Sequence, residues 1–159
     1  MNFADLQAYA ASLPVEEREA LDDEGLRIHD SLSPGGYDSS PPGYVAFAST
    51  GGDGVHFSFP SNKFGPVVMT VPMAFDRPNI VVGADLKEFL SLGCMYGFFV
   101  LQQLGYNEDL TIDPADAVRE PSPALQRLSK HFDLRPWTAV VNYLAKLQVA
   151  HPIDQIWPD

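Results

Sequence analysis

The sequence predicts a single α+β domain over residues 1–159, a four-stranded antiparallel meander flanked by N-terminal and C-terminal helices. Three observations predict it. Apolar residues recur at helical spacing near both ends of the chain. The stretch 44–84 is instead made of short aromatic and β-branched runs separated by turn residues. The connections between those runs are too short for the crossovers of about a dozen residues that parallel neighbours need.

The elements follow in order. Phe3, Leu6 and Ala10 share a helical face, with Leu13 just beyond, and Pro14 interrupts. Glu16, Glu17 and Glu19 crowd the start of a second helix that runs past Leu21, where acids suit the helix dipole. Residues 33–43, rich in Gly and Pro, read as loop. YVAFAS (44–49) and VHFSF (55–59) read as strands of a hairpin around Thr50-Gly51-Gly52-Asp53-Gly54. Alternation puts Val55, Phe57 and Phe59 on one face and His56 and Ser58 on the other. PVVMTV (66–71) and NIVVGA (79–84) are the third and fourth strands. Asp85 caps a helical run in which Leu86, Phe89, Leu90, Cys94, Phe98 and Leu101 recur, with Gly93 and Gly97 as points of breakage or close packing. A helical extension from about residue 93 then continues to the end. Ser122 caps a further helix with Pro123 at its first position, and 137–150 is the last amphipathic helix.

The bulk composition sets limits. A hydrophobic fraction of 45%, with 11% aromatic, supplies one real core. The net charge of −11 repels nucleic-acid phosphates and anionic membranes and favours basic partners, although acidic surfaces also serve solubility alone. No run approaches the roughly 18 apolar residues of a membrane span, and the first residues do not read as a secretory signal. The expectation is a cytoplasmic protein with no membrane or nucleic-acid partner.

Few residues point to chemistry. There is no phosphate-binding glycine loop, dinucleotide fingerprint, His-Glu-x-x-His pair or Gly-x-Ser-x-Gly elbow. His29, His56, His131 and His151 are not spaced as metal ligands, and Cys94 lies in an apolar run that suits core packing. The acids Asp22, Asp23 and Glu24, like those of 108–120, read as solvated faces. No catalytic residue, metal or cofactor is assigned. Asp53 and His56 remain as binding candidates at the hairpin end, where glycine N–H groups also suit an anion. The plainer reading is that Gly51, Gly52 and Gly54 turn the chain.

The run FASTGGDGVHFSF, then GPVVMTV, then IVVGADLKEFLSLG, resembles the core of the SUKH superfamily, which includes bacterial immunity proteins and yeast cell-wall-synthesis regulators. Gly51, Gly52, Gly54, Gly65, Val67, Asp85, Phe89 and Leu90 occupy matching places, and Leu13-Pro14 matches the family's Leu-Pro before an early helix. The similarity covers about residues 45–92. It implies an α+β fold with no catalytic residues to transfer, and a protein partner bound on a concave sheet surface. The expected function is an immunity-type protein that neutralises a toxin by direct contact, and the net charge of −11 suits a basic toxin. A small enzyme with a site near the glycine-rich hairpin and a regulatory interaction domain are the alternatives.

Overall fold

Asn2 and Asp5 open the chain as a capping box. The Asn2 side chain accepts the Asp5 N–H at 3.1 Å and the Asn2 N–H donates to the Asp5 carboxylate at 2.6 Å. Helix α1 (Phe3–Ser12) follows and buries Phe3, Leu6, Tyr9 and Ala10. Helix α2 (Val15–Asp23) ends where Gly25 takes a φ of 84°, and the Leu26 N–H returns to the Leu21 carbonyl at 3.0 Å. The computed structural model describes residues 1–117 and 120–154.

Five strands come next, where the sequence predicts four: β1 (Arg27–Ser33), β2 (Tyr44–Ser49), β3 (His56–Pro60), β4 (Val67–Thr70) and β5 (Asn79–Gly83). They pair antiparallel in chain order. The added strand is β1, RIHDSLS. It is an edge strand with charges and serines in most positions, so it lacks the apolar alternation that marks a half-buried strand. It pairs with β2 at Arg27–Ser49 and Ile28–Ala48, then again at Ser33–Ala46 across an irregularity.

Helix α3 (Leu86–Tyr96) starts at Asp85, whose carboxylate accepts the Glu88 N–H at 2.9 Å, and stops at Gly97, φ 87°. A 3-10 turn (Val100–Gln102) leads into the short α4 (Gln103–Tyr106). Helix α5 (Pro123–His131) has Ser122 as its cap and Pro123 at its start. Helix α6 (Val140–Ala150) begins three residues later than 137, because Ala139 sits at a φ of 49°.

Register explains the layers. Phe57, Met69 and Ile80 lie in one row across β3, β4 and β5, on the face that packs against α3. The Phe89 ring of α3 lies 4.6 Å from Phe57, 5.7 Å from Phe47 and 5.3 Å from Phe98. One continuous cluster of buried residues runs from Phe3 to Leu144. The other face carries two rows. His56, Thr70 and Asn79 form a polar row, and Ser58, Val68 and Val81 a more apolar one. Leu147 of α6 packs on Val68 and Val81, and the loop 34–43 covers the polar row, so both faces are buried.

Both outer edges are met by a glutamine. Gln7 of α1 donates to the Asp30 carbonyl of β1 at 2.9 Å. Gln148 of α6 accepts the Val81 N–H at 2.9 Å and donates to the Val81 carbonyl at 2.8 Å, as a neighbouring strand would. Replacing Gln148 with Ala leaves both Val81 groups unpaired. The expected loss is about 1–3 kcal/mol, with concentration-dependent self-association through the bare edge. Urea unfolding and sedimentation velocity check this; unchanged stability in a strict monomer would show that Gln148 does not close the edge.

Candidate functional site

The β2–β3 connection is built by its turn residues. Gly51, Asp53 and Gly54 have φ of 80°, 52° and 71°. Thr50 locks the turn, its hydroxyl donating to the Gly52 carbonyl at 3.2 Å. Gly54 meets two demands at once: its φ is positive, and a β-carbon there would collide with the Tyr37 ring. Gly52 faces open space with no positive φ, so the turn does not require a glycine at that position for either reason.

This turn, the end of β1 and the loop 34–43 enclose a groove of about 350 Å³ that both Asp53 and His56 line. They occupy it differently. Asp53 is exposed on its rim, whereas His56 is buried in the floor. His56 Nδ1 lies 2.8 Å from the Gly54 carbonyl, which can only accept, so Nδ1 carries the proton and donates. In the neutral ring Nε2 then accepts the Ser40 hydroxyl at 3.1 Å. Tyr37 stacks on the imidazole with centroids 5.7 Å apart and planes 17° from parallel. Beside it, Asn79 accepts the Thr70 hydroxyl at 2.8 Å and donates to the Ser39 carbonyl at 2.8 Å. His56 and Asn79 thus pin the loop 34–43 to the sheet through Ser40 and Ser39. His56 lines the groove while its Nε2 is engaged by the Ser40 hydroxyl.

Burial lowers the pKa of His56; the Gly54 carbonyl opposes the shift and His29 adds to it. Burial lowers His29 as well, against its hydrogen bond with Ala46 and the charge of Asp30. Both groups bind protons more readily in the unfolded chain. Their contribution to stability is therefore full above the ordinary histidine pKa of about 6.5 and declines as pH falls through it, with a limiting slope of about 1.4 kcal/mol per pH unit for each group. The expected result is a loss of stability between about pH 7.5 and 5 that is smaller in His56→Gln. Urea titrations at the two pH values read it; equal losses in the two proteins would remove His56 from the account.

Cys94 is buried, and burial followed by the charge of Glu24 pushes its thiol up to about 12. It has no thiolate at neutral pH, in keeping with a packing role.

A further cleft of about 590 Å³ lies between α3 and α6. Tyr143 donates to Glu88 at 2.8 Å, and Trp137 packs edge-on against Tyr143 at 4.8 Å. Its charges are mixed: Lys87, Arg135 and Lys146 line it together with Asp85, Glu88 and Asp133.

A different surface is formed by the β4–β5 turn and residues 105–117. Arg77 donates to the carbonyls of Leu104 at 2.7 Å and Asn107 at 2.6 Å. Gln103 accepts the Asp113 N–H at 2.9 Å and donates to Asp116 at 2.7 Å, and Asn107 donates to the Thr111 carbonyl at 2.8 Å. The loop so held exposes Glu108, Asp109, Asp113 and Asp116, with no basic residue between 107 and 117. Sequence reasoning passed over this ordering, since the bonds run through Arg77 and Gln103 from outside the loop.

Among the described residues no group of three or more His, Cys, Asp or Glu is placed to hold a metal ion, and no helix is long and apolar enough to cross a membrane. No family model matches the chain, and neither a curated protein nor a solved structure matches it significantly.

Proposed function

We propose that this chain is a protein-binding module of the immunity type, which neutralises a basic toxin by direct contact. The observation that carries the reading is the acidic loop 107–117, four exposed carboxylates on a backbone fixed by Arg77, Gln103 and Asn107. Carboxylates on an ordered loop need no rearrangement to meet a basic surface, which limits the ordering cost of association. The net charge of −11 adds a long-range field of the same sign, which speeds encounter with a basic protein. The sequence similarity to SUKH proteins supports the same class of function.

The test is co-expression with the product of the adjacent gene. Protection from that product's toxicity, with a complex that survives purification, is the expected result. The association rate should fall as ionic strength rises, while dissociation changes less, because steering acts on encounter. Converting Glu108, Asp109 and Asp113 together to Lys should slow association by about tenfold or more. A complex whose association rate ignores both salt and these substitutions would overturn the assignment of the acidic loop.

A further inference from the structure

We infer that the β4–β5 turn and the neighbouring acidic loop form a two-part docking surface for a basic polypeptide that seats an apolar side chain between Met73, Phe75 and Tyr106. The inference rests on the protein-binding reading above and assigns it a place and a chemistry.

Met73, Phe75 and Tyr106 are 56%, 65% and 56% exposed, and all three line one groove of about 420 Å³. Single exposed apolar residues are ordinary, but three around one concavity form a contiguous patch of the kind that marks an interaction site. Their backbones are fixed. The Val71 N–H donates to Pro78 at 2.7 Å, the Ala74 N–H to Val71 at 2.9 Å and the Arg77 N–H to Ala74 at 3.2 Å, which closes the turn under Phe75. On the other wall, Gly105 packs so closely on Val71 and Ala74 that a β-carbon would lie 3.2 Å from each, and this sets Tyr106 against the turn.

Charge decides the occupant. Asp76 and Glu108 rim the groove, and Asp109, Asp113 and Asp116 follow on the loop. Arg77, the one base that lines the groove, has its guanidinium turned to the carbonyls of Leu104, Asn107 and Glu108. The surface therefore presents aromatic faces and carboxylates together. A lysine or arginine meets both, by ion pairing and by stacking on Phe75 or Tyr106, and an apolar neighbour in the partner fills the groove between them. A second copy of this chain would bring like charges together across the same patch, which opposes self-association.

The experiment uses the full chain and two labelled synthetic peptides, one lysine-rich with a single tryptophan and one with serine in its place. Fluorescence anisotropy should show the tryptophan peptide binding about tenfold tighter, the size of a good apolar anchor. Phe75→Ser should erase that difference without changing the unfolding midpoint, since the side chain is exposed. Glu108→Lys with Asp109→Lys should weaken both peptides. If the two peptides bind equally, and Phe75→Ser changes nothing while the charge reversal still weakens both, the apolar anchor is overturned and the acidic-loop reading stands. If the charge reversal affects neither peptide, both readings fall. A wild-type dimer in sedimentation that Phe75→Ser dissolves would assign the patch to a second copy and overturn the inference.

Discussion

Phe89→Ala is expected to destabilise the protein by about 3–5 kcal/mol, the usual range for removing a buried phenylalanine. The ring is fully buried and stands at the junction between sheet and helices. It lies against Phe47 from β2, Phe57 from β3 and Phe98 beyond the end of α3. Those three neighbours are themselves buried and have little freedom to close on the space left behind: Phe47 and Phe57 are held by their strands, and the Phe98 backbone N–H is tied to the Glu24 carbonyl at 3.2 Å. For a chain of this size each kcal/mol lowers the melting midpoint by roughly 2–4 °C. Phe89→Leu keeps most of the volume and should lose less than half as much. Urea unfolding of the two variants reads both values. A loss under about 1 kcal/mol in Phe89→Ala would mean that the site collapses freely, against the rigid cluster described here.

The core of this fold is written in short-range pattern, and the parts that were not legible are those set by distant partners. The alternation of 55–59 places Phe57 toward α3 and His56 away from it, as found. Asp85 and Ser122 cap their helices, as the sequence predicts, because a cap is a local hydrogen bond. Strand β1 escaped notice since its only cue is pairing with β2, and its side chains are those of a polar edge. The covering of the second sheet face was equally hidden. Alternation says that His56 leaves the core face, but not that Ser40 and Tyr37 arrive from a loop with no periodicity of its own. For the same reason the sequence identifies Asp53 and His56 as neighbours of one turn without showing that one lies on the rim and the other under the loop. In the last helix, apolar spacing runs back to Trp137. That residue is instead held outside the helix, its backbone N–H donating to Met95 Sδ at 3.1 Å and its ring against Tyr143.

The covered second face bears on how a partner is engaged. The sheet surface that the SUKH resemblance offers as a binding platform is occupied here by the loop 34–43 and by α6. Gln7 and Gln148 meet backbone groups at the two outer edges, which disfavours strand addition there. The surface of the β4–β5 turn and the acidic loop is outward-facing and ordered, and it combines exposed apolar side chains with carboxylates.

Gly93→Ala sets two opposed effects against each other, and the second is expected to win. Alanine is the better helix former by about 1 kcal/mol, so on an exposed helix the change would stabilise. Gly93, however, lies near the end of α3, where the chain turns at Gly97 and brings Phe98 back across the helix. A β-carbon on Gly93 would run into the Phe98 ring. The ring has little room to move. It is fully buried, lies 5.3 Å from Phe89 and 6.3 Å from Phe57, and its backbone N–H donates to the Glu24 carbonyl at 3.2 Å. Overpacking of this kind costs about 1–3 kcal/mol and more where the neighbours are rigid, so a net destabilisation is expected in urea unfolding. The companion variant Phe98→Leu separates packing from propensity. Made alone it should destabilise by leaving a cavity; combined with Gly93→Ala it should cost less than the sum of the two, because the new methyl group occupies space that the ring has vacated. Additive losses would show that the two residues do not meet in this way, and a Gly93→Ala protein more stable than the parent would show that Phe98 yields.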